Sequence, residues 1–249
     1  MKVLVSGING HMGKEVAALC LKNYRGAELY AGFDVNSASD CPVKCASSFD
    51  EAATDADVIV DFSHHAGTHA LLEFAKRTGI PLVLATTGQT PEELDEIRAA
   101  AETVPVFFAA NYSLGIALLI RFAKQAAAAM PDADIEIVEK HHNRKLDAPS
   151  GTALAIGNAV KEVRRDAVLK CGRSGQAKRE AGEIGISAVR MGNIVGEHEV
   201  FICTPSQTIT LKHEAYNRSL FAEGALCAAE FMLGKPAGLY NMEDMLAEH

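Results

Sequence analysis

The sequence predicts an α/β fold built on a doubly wound parallel sheet, with a second α+β domain that carries a mixed or antiparallel sheet. Short apolar runs alternate with segments of helical spacing through the first part of the chain. A glycine-rich turn joins the first apolar run to the first helical segment. The sequence pattern changes after Asn111, and β-rich runs in the later part of the chain follow one another closely. Strands that alternate with helices form parallel sheets through right-handed crossovers, whereas closely spaced strands favour an α+β region.

Alternating strands and helices are expected in the first part of the chain. The strands are Lys2–Ser6, Glu28–Asp34, Val58–Ser63, Pro81–Thr86 and Pro105–Ala110. The helices are His11–Asn23, Thr68–Thr78 and Pro91–Glu102. The third strand has the apolar character of a strand that is covered on both faces. Proline in the first turn, with acidic residues nearby, favours the start of the third helix at Pro91.

The second part mixes long helices with closely spaced strands. Helices are expected at Leu114–Met130, Gly151–Val163 and Leu220–Leu233. Strands are expected at Ile135–Glu139, Ile184–Arg190, Glu197–Thr204 and Thr208–His213, and the spacing of the last three suggests antiparallel meanders. The sequence pattern of the last helix resembles that of the first part of the chain. We therefore expect one domain from 1–111 plus 216–249 and a second from 112–215.

Composition excludes several classes of function. The chain has 249 residues and a formal net charge of −8, which argues against non-specific binding of nucleic acid. No apolar run approaches the length of a membrane span. The apolar run that follows Met1 and Lys2 is too short to be the apolar core of a signal peptide. The six cysteines form no CxxC pair and no zinc-like spacing, so we expect reduced thiols, no metal and a cytoplasmic protein.

The turn after the first strand predicts a site for a dinucleotide. It consists of Gly7, Ile8, Asn9, Gly10, His11, Met12 and Gly13, a GxxGxxG variant of the Rossmann fingerprint. Such glycines permit a tight turn, close approach of the pyrophosphate, and close packing of helix on strand. Asp34 ends the second strand, where a carboxylate accepts hydrogen bonds from the adenosine ribose. The alternatives are a plain βα turn and a strand-end aspartate that caps a turn.

Two later strand ends belong to the same expected cofactor site. The fourth strand ends in Ala85, Thr86 and Thr87, and the fifth in Ala109, Ala110, Asn111 and Tyr112. Ligands of a doubly wound sheet lie beyond the carboxyl ends of its strands. Small residues with backbone and hydroxyl partners suit a nicotinamide ring and its ribose. Taken alone, each segment is an ordinary loop.

A basic segment before the fifth helix is the most informative part of the sequence. Two histidines, an arginine and a lysine fall within His141–Lys145 of an acidic protein. Ser150 follows as a natural N-cap, with Gly151 and Thr152 opening a helix. The N-terminus of a helix binds anions, and cations beside it would hold a dicarboxylate. The alternative is a solvated basic loop that leads into a capped helix.

Taken in order, these segments resemble the 4-hydroxy-tetrahydrodipicolinate (dihydrodipicolinate) reductase family. The resemblance covers nearly the whole chain and is carried by GINGHMG, VDFSHHAG, ATTG, ANYSLG, HHNRKLDAPSGTAL, VRMGNIVGEHEVF, HEAYNRSLFAEGAL and GLYNMEDML. The HH..K.DAPSGTAL segment is highly specific, whereas the glycine fingerprint alone is not. Ala85 departs from the family, because many members have glycine there.

The resemblance implies reduction of a cyclic imine dicarboxylate, with loss of water, in the diaminopimelate and lysine pathway. It implies NADH or NADPH as the cofactor and a homotetramer assembled through the second domain. The proton-donor histidine of the family maps to His141 and the catalytic lysine to Lys145. His142, Gly151 and Thr152 map to substrate binding, and Ser150 belongs to the same helix start. The absence of a cation directly after Asp34 favours NADH at least as much as NADPH.

Two other functions stay open on the residues alone. An amino-acid dehydrogenase that acts on an open-chain imine, such as aspartate dehydrogenase, would share the cofactor domain but lack the HH..K.DAPSGT segment. A regulator that senses nicotinamide without turnover would need no proton donor beside an anion site. Four further residues are candidate walls of a substrate site and no more: Arg190, His198, His213 and Arg218.

Overall fold

A computed structural model describes residues 1–36 and 41–248, and the chain divides into two compact units. The first unit comprises Met1–Ser113 together with Ser219–His249, and the second comprises Leu114–Arg218. These boundaries lie two and three residues beyond the expected divisions after residues 111 and 215. Within the described ranges, none of the helices has the length and apolarity that crossing a bilayer requires.

The first unit is built on the predicted parallel sheet, which has seven strands where five were expected. Its strands are β1 Lys2–Ser6, β2 Glu28–Phe33, β3 Cys45–Ala46, β4 Val58–Asp61, β5 Leu82–Leu84, β6 Pro105–Phe108 and β12 Gly238–Tyr240. They lie in the order β12-β6-β5-β4-β1-β2-β3. The order reverses between β1 and β4, and this switch point opens a crevice at the carboxyl ends of the strands.

Five helices complete the first unit. They are α1 His11–Leu21, α2 Thr68–Thr78, α3 Pro91–Ala101, α6 Ser219–Met232 and α7 Met242–Ala247. Helix α1 packs against α6, and α2 packs against α3. The start of α3 is fixed by a capping box, because the Thr90 side chain accepts from the Glu93 N–H while the Glu93 carboxylate accepts from the Thr90 N–H.

The second unit is built on a five-stranded mixed sheet with two helices, α4 Leu114–Ala129 and α5 Gly151–Val163. Its strands are β7 Asp134–His141, β8 Val168–Cys171, β9 Glu183–Arg190, β10 Gly196–Thr204 and β11 Gln207–Ala215, in the order β11-β10-β7-β9-β8. Strand β10 is antiparallel to β7 and β11, whereas β9 is parallel to β7 and β8.

The expected run of antiparallel meanders is therefore wrong for β9. Only β10 and β11 form a hairpin, and β9 inserts between β7 and β8 as a parallel strand. Parallel strands of one sheet are joined by long crossovers, and α5 lies in the crossover from β7 to β8, the two strands that flank β9. The core of this unit lies between the sheet and its helices, where Ile135, Ile137 and Ile156 are fully buried.

Candidate cofactor and substrate sites

The glycine-rich turn between β1 and α1 forms the floor of a crevice in the first unit. Gly7 has φ +74 and donates its N–H to the Phe33 carbonyl at 2.8 Å. A Cβ on Gly13 would lie 2.1 Å from the Gly7 carbonyl oxygen. The first glycine therefore makes the turn, and the last lets the helix approach it. Both are tasks that a dinucleotide loop requires.

A cavity of about 810 Å³ lies on one side of this turn. Gly7, Asn9 and Gly10 line it together with Asp34. The Asp34 carboxylate accepts from the Asn9 N–H at 3.0 Å and from the Asn36 N–H at 2.9 Å. Two backbone donors thus hold a buried carboxylate in place at the cavity wall. Aromatic and small residues complete the lining, among them Phe33, Phe49, Phe62, Ala66 and Ala70.

A second cavity of about 560 Å³ brings together most of the other predicted cofactor residues. Its walls are formed by Gly10, His11, Met12, Ala85, Thr86, Thr87, Ala110, Asn111 and Tyr112, with Phe62, Ser63, His64 and Phe221. The ends of three separate chain segments meet here, as expected at a switch point. Ile8 and Ala109 line neither cavity. Ile8 is 2% exposed and contributes to the core instead.

The sequence reasoning missed Asp61, the last residue of β4. It is fully buried and accepts from the Ser6 hydroxyl at 2.7 Å and from the Thr86 hydroxyl at 2.6 Å. Burial raises the pKa of Asp61, while hydrogen bonds from Ser63, Thr86 and Ser6 oppose that rise. The Thr86 hydroxyl is therefore engaged inside the protein. The signal was an acid that ends an otherwise apolar strand.

In the second unit, β7 carries two ionisable side chains on its core face. Alternate residues of the strand are buried: Ile135, Ile137, Glu139 and His141. The first two belong to the apolar core, and the next two continue the same face at the carboxyl end of the strand. A buried acid and a buried histidine at core positions are unusual for a purely structural strand.

Glu139 and His141 form a buried cluster with Ser150, Arg190 and His198, and Glu139 lies at its centre. Its Oε1 accepts from Arg190 Nη2 at 2.6 Å and from the Ser150 N–H at 2.9 Å. Its Oε2 accepts from Arg190 Nη1 at 2.7 Å and lies 2.6 Å from His141 Nδ1. Burial acts to raise the pKa of Glu139, but hydrogen bonds from Arg190, His141 and Ser150 bring it below its ordinary value. The carboxylate is consequently ionised.

His198 lies beside His141. The two rings meet edge to face, with centroids 5.2 Å apart. Burial lowers the pKa of His198 to about 4, with the nearby His141 acting in the same direction. His198 is therefore neutral at physiological pH, and its Nε2 lies 3.1 Å from the Ser150 hydroxyl. Arg190 and His198, which the sequence suggested only as walls, thus both contact the cluster.

The start of α5 adjoins Glu139. The Ser150 hydroxyl accepts from the Ala153 N–H at 3.2 Å, which makes it the N-cap that the sequence predicted. With its N–H on Glu139 and its hydroxyl on His198, Ser150 is engaged within the protein and only 2% exposed. Gly151 is exposed, with open space where a Cβ would stand, and Thr152 is half-buried.

The basic segment after β7 carries His142 and Lys145. Burial lowers the pKa of His142, and the charges of Arg144 and Arg218 act in the same direction. Lys145 Nζ lies 2.7 Å from the Asp147 carboxylate, and this hydrogen bond lowers the pKa of Asp147. Cationic groups therefore gather on the loop that leads to α5, as an anion site requires, while residues 143, 144, 146 and 147 of this loop are exposed, as in a solvated loop.

Models of a known protein family match nearly the whole chain. The model of the dihydrodipicolinate reductase N-terminus matches residues 1–112, and that of the dihydrodipicolinate reductase C-terminus matches residues 115–246. A 4-hydroxy-tetrahydrodipicolinate reductase of Clostridium novyi is 44% identical over 98% of each chain. One of Caldanaerobacter subterraneus is 45% identical over 99% of this chain and 98% of its own.

Solved structures show the same relation. Dihydrodipicolinate reductase from Paenisporosarcina, solved with dipicolinate bound, superposes with a TM-score of 0.81 at 26% identity over 97% of each chain. Aspartate dehydrogenase from Thermotoga maritima superposes with a TM-score of 0.53 at 15% identity, over 94% of this chain and 97% of its own. The second likeness concerns the fold alone.

Proposed function

The chain belongs to the dihydrodipicolinate reductase family, and from that premise we propose that it reduces 4-hydroxy-tetrahydrodipicolinate to tetrahydrodipicolinate. Water is lost in the reaction, which serves the diaminopimelate and lysine pathway. The observation that carries the proposal is the match to both family models, which together account for residues 1–112 and 115–246. A buried, carboxylate-bound histidine near a helix start agrees with proton donation to an anionic substrate.

The first unit holds the nicotinamide cofactor. The tight turn at Gly7, the lack of a side chain at Gly10 and the two cavities beside the turn fit a dinucleotide. Asp34 accepts hydrogen bonds from the adenosine ribose. Residues 85–87 and 110–112, which line the second cavity, flank the nicotinamide and its ribose. When bound, the reduced cofactor supplies a hydride. NADH is used at least as efficiently as NADPH.

The second unit holds the substrate, a cyclic imine dicarboxylate. His142, together with the backbone N–H groups of Gly151 and Thr152, grips one carboxylate, and Ser150 caps the helix that presents them. His141 donates the proton that the reduced ring requires, and Lys145 assists by its positive charge. The dipicolinate bound by the Paenisporosarcina enzyme is itself a flat ring with two carboxylates, which supports this class of ligand.

The assembly and location follow the family. We expect a homotetramer formed through the second unit, which light scattering on the purified protein measures directly. All six cysteines are free thiols, which fits the reducing cytoplasm. No nucleic acid or membrane partner is part of the proposal.

A coupled assay tests the reaction. Pyruvate and aspartate semialdehyde are condensed by the preceding synthase, and the absorbance of NADH or NADPH is followed after the protein is added. We expect cofactor oxidation only when the cyclic product is present. A mixture of oxaloacetate and ammonia serves as the control, because it offers the open-chain imine of an aspartate dehydrogenase. Turnover of that mixture without turnover of the cyclic substrate would overturn the proposal.

A further inference from the structure

Glu139 is an acid at a core position, and the fold accommodates it with a complete set of partners. The residue is 0% exposed and follows Ile135 and Ile137 on the buried face of β7. Taking a carboxylate out of water is costly unless it is paired and hydrogen-bonded. An apolar residue would satisfy the packing of this face at no such cost. The presence of the acid therefore calls for a role besides packing.

The partners of Glu139 leave it only one orientation. Arg190 binds both carboxylate oxygens through its two terminal nitrogens, at 2.6 and 2.7 Å. The Ser150 N–H adds a second donor on Oε1. These three donors hold the carboxylate as a fixed anion, so the remaining direction on Oε2 is available to His141 Nδ1 at 2.6 Å.

A fixed anion determines which nitrogen of His141 carries hydrogen. A carboxylate with three other donors can only accept, so Nδ1 of the ring must carry a hydrogen. The nitrogen that gains and loses a proton is then Nε2. Two uncharged groups also lie beside the ring, namely Gly196, whose added Cβ would lie 3.1 Å from Nε2, and the neutral ring of His198. Neither supplies a charge that competes with Glu139.

We infer that Glu139 is a positioning residue that fixes His141 in the Nδ1–H tautomer, with Arg190 holding Glu139 in place. The inference rests on the proposed function, in which His141 donates a proton to the cyclic imine. The donated proton leaves from Nε2, and the proton on Nδ1 stays on the ring throughout. Glu139 remains ionised, as an orienting carboxylate does in a catalytic triad.

The first test replaces Glu139 by a neutral residue of the same shape. Glu139→Gln should lower kcat by about 100-fold, since a misoriented acid forfeits most of its contribution, while the Kd of NADH changes less than twofold. Glu139→Asp keeps the charge and should recover part of the loss. The matched control is Glu199→Gln, which removes a carboxylate that accepts from Lys140 Nζ at 2.7 Å on the opposite face of the same sheet. The control should keep wild-type kcat.

A second variant separates positioning from simple charge pairing. Glu139→Leu combined with Arg190→Met replaces the whole buried pair by apolar residues, an exchange that is often neutral for stability. If the pair only stabilised the fold, this double variant would recover near-normal kcat, and the inference would be overturned. We expect the double variant to fold, to bind NADH normally, and to remain at least about 100-fold slow.

The tautomer is also visible without turnover. In ¹⁵N-labelled protein, long-range ring correlations of His141 should show hydrogen on Nδ1 in the wild type and a mixture of tautomers in Glu139→Gln. A wild-type ring with hydrogen on Nε2 alone would overturn the inference, whatever the enzyme's activity. Failure of wild-type protein to oxidise cofactor on the cyclic substrate would instead contradict the proposed function.

Discussion

His141 and Lys145 lie four residues apart, but their surroundings suit them to different parts of one reaction. The His141 ring is buried and bound to a carboxylate through Nδ1. Lys145 is half-buried on a loop, with its ammonium 2.7 Å from the Asp147 carboxylate. A substrate carboxylate can compete for that ammonium, whereas the Glu139–His141 bond is enclosed. We therefore expect the histidine to transfer the proton and the lysine to contribute charge.

Removal of either side chain should affect turnover far more than cofactor binding. His141→Ala should lower kcat by about 10²–10⁴-fold, the usual contribution of general acid catalysis. Lys145→Ala should also lower kcat, because the proposed site loses the positive charge that assists proton transfer. Steady-state kinetics gives kcat, and calorimetry gives the Kd of NADH. Near-normal turnover by both variants on the cyclic imine would show that the catalytic assignment is wrong.

Gly196 supplies a second test at the same ring. A Cβ at this buried position would stand 3.1 Å from His141 Nε2, a contact that forces the ring to move. Small displacements of a catalytic group are costly, so Gly196→Ala should lower kcat by about tenfold or more. The control is a double-mutant cycle. In the His141→Ala background the same substitution should have no further effect on kcat, and an equal effect in both backgrounds would refute the explanation.

The sequence predicted strand β7 but not the cluster that it carries. Its alternation of isoleucines was readable, and continuing that period places Glu139 and His141 on the buried face. Their partners come from β9 and β10, whose register sets Arg190 beside His141 and His198 beside Glu139. Register between strands distant in sequence has no local signal, so only the fold could show these contacts.

Short elements were also missed by sequence periodicity, namely three strands and the six-residue helix α7. Strand β3 has two residues and β12 has three, too few for an alternating pattern. Strand β8 is mostly exposed, so it lacks the apolar period by which strands are recognised. Because β8 was not predicted, the parallel pairing of β9 between β7 and β8 could not be predicted either. The longer helices and strands were predicted because their apolar spacing spans several turns or pleats.

Buried His198, on strand β10, should make the stability of the second unit depend on pH. Burial lowers the pKa of His198 from 6.5 to about 4, so the unfolded chain takes up a proton before the folded chain does. The contribution of His198 to the free energy of unfolding is fully present above about pH 6.5, and it is lost as the pH falls from there towards 4. The loss amounts to roughly 3 kcal/mol at most. Glu139 acts at lower pH, because its pKa lies below 4.5 and its contribution is lost only there.

Urea unfolding at pH 7.5 and pH 5.2 measures this dependence. The wild type should lose stability between the two values, and His198→Asn should lose less. His69→Asn serves as the matched control, because His69 is exposed and contacts only Glu96 among the ion pairs of the described residues. A pH dependence in His198→Asn equal to that of the wild type would assign the effect to other groups.

At the scale of the whole molecule, the fold alone does not decide between the reductase and its rivals. Aspartate dehydrogenase of Thermotoga maritima shares the architecture at 15% identity. One fold carries many reactions, and function resides in the site. The specific segment from His141 to Thr152 made the distinction from sequence. The structure adds the Glu139–Arg190 pair, which contacts both His141 and the helix start at Ser150.

We expect cofactor choice to depend on the surroundings of Asp34. Its carboxylate is held by the Asn9 and Asn36 N–H groups, so it cannot easily turn away from a ligand in the cavity. A carboxylate accepts from both ribose hydroxyls of NADH and repels the 2′-phosphate of NADPH. Val35 follows it, 74% exposed at the cavity wall. Residues 37–39, also expected to offer no cation, lie outside the described residues.

Substitution at Val35 tests this explanation. A charged hydrogen bond to the phosphate is worth roughly 1.5–3 kcal/mol, or about one to two powers of ten in affinity. Unmodified protein should therefore use NADH at least as efficiently as NADPH, and Val35→Arg should shift the preference towards NADPH. Val35→Gln, which adds length without charge, should shift it little. The measurement is kcat/KM for both cofactors at one ionic strength. A tenfold or greater preference of the unmodified protein for NADPH would contradict the prediction and point to Lys44, the nearest cation after β2 in the sequence, as the phosphate's partner.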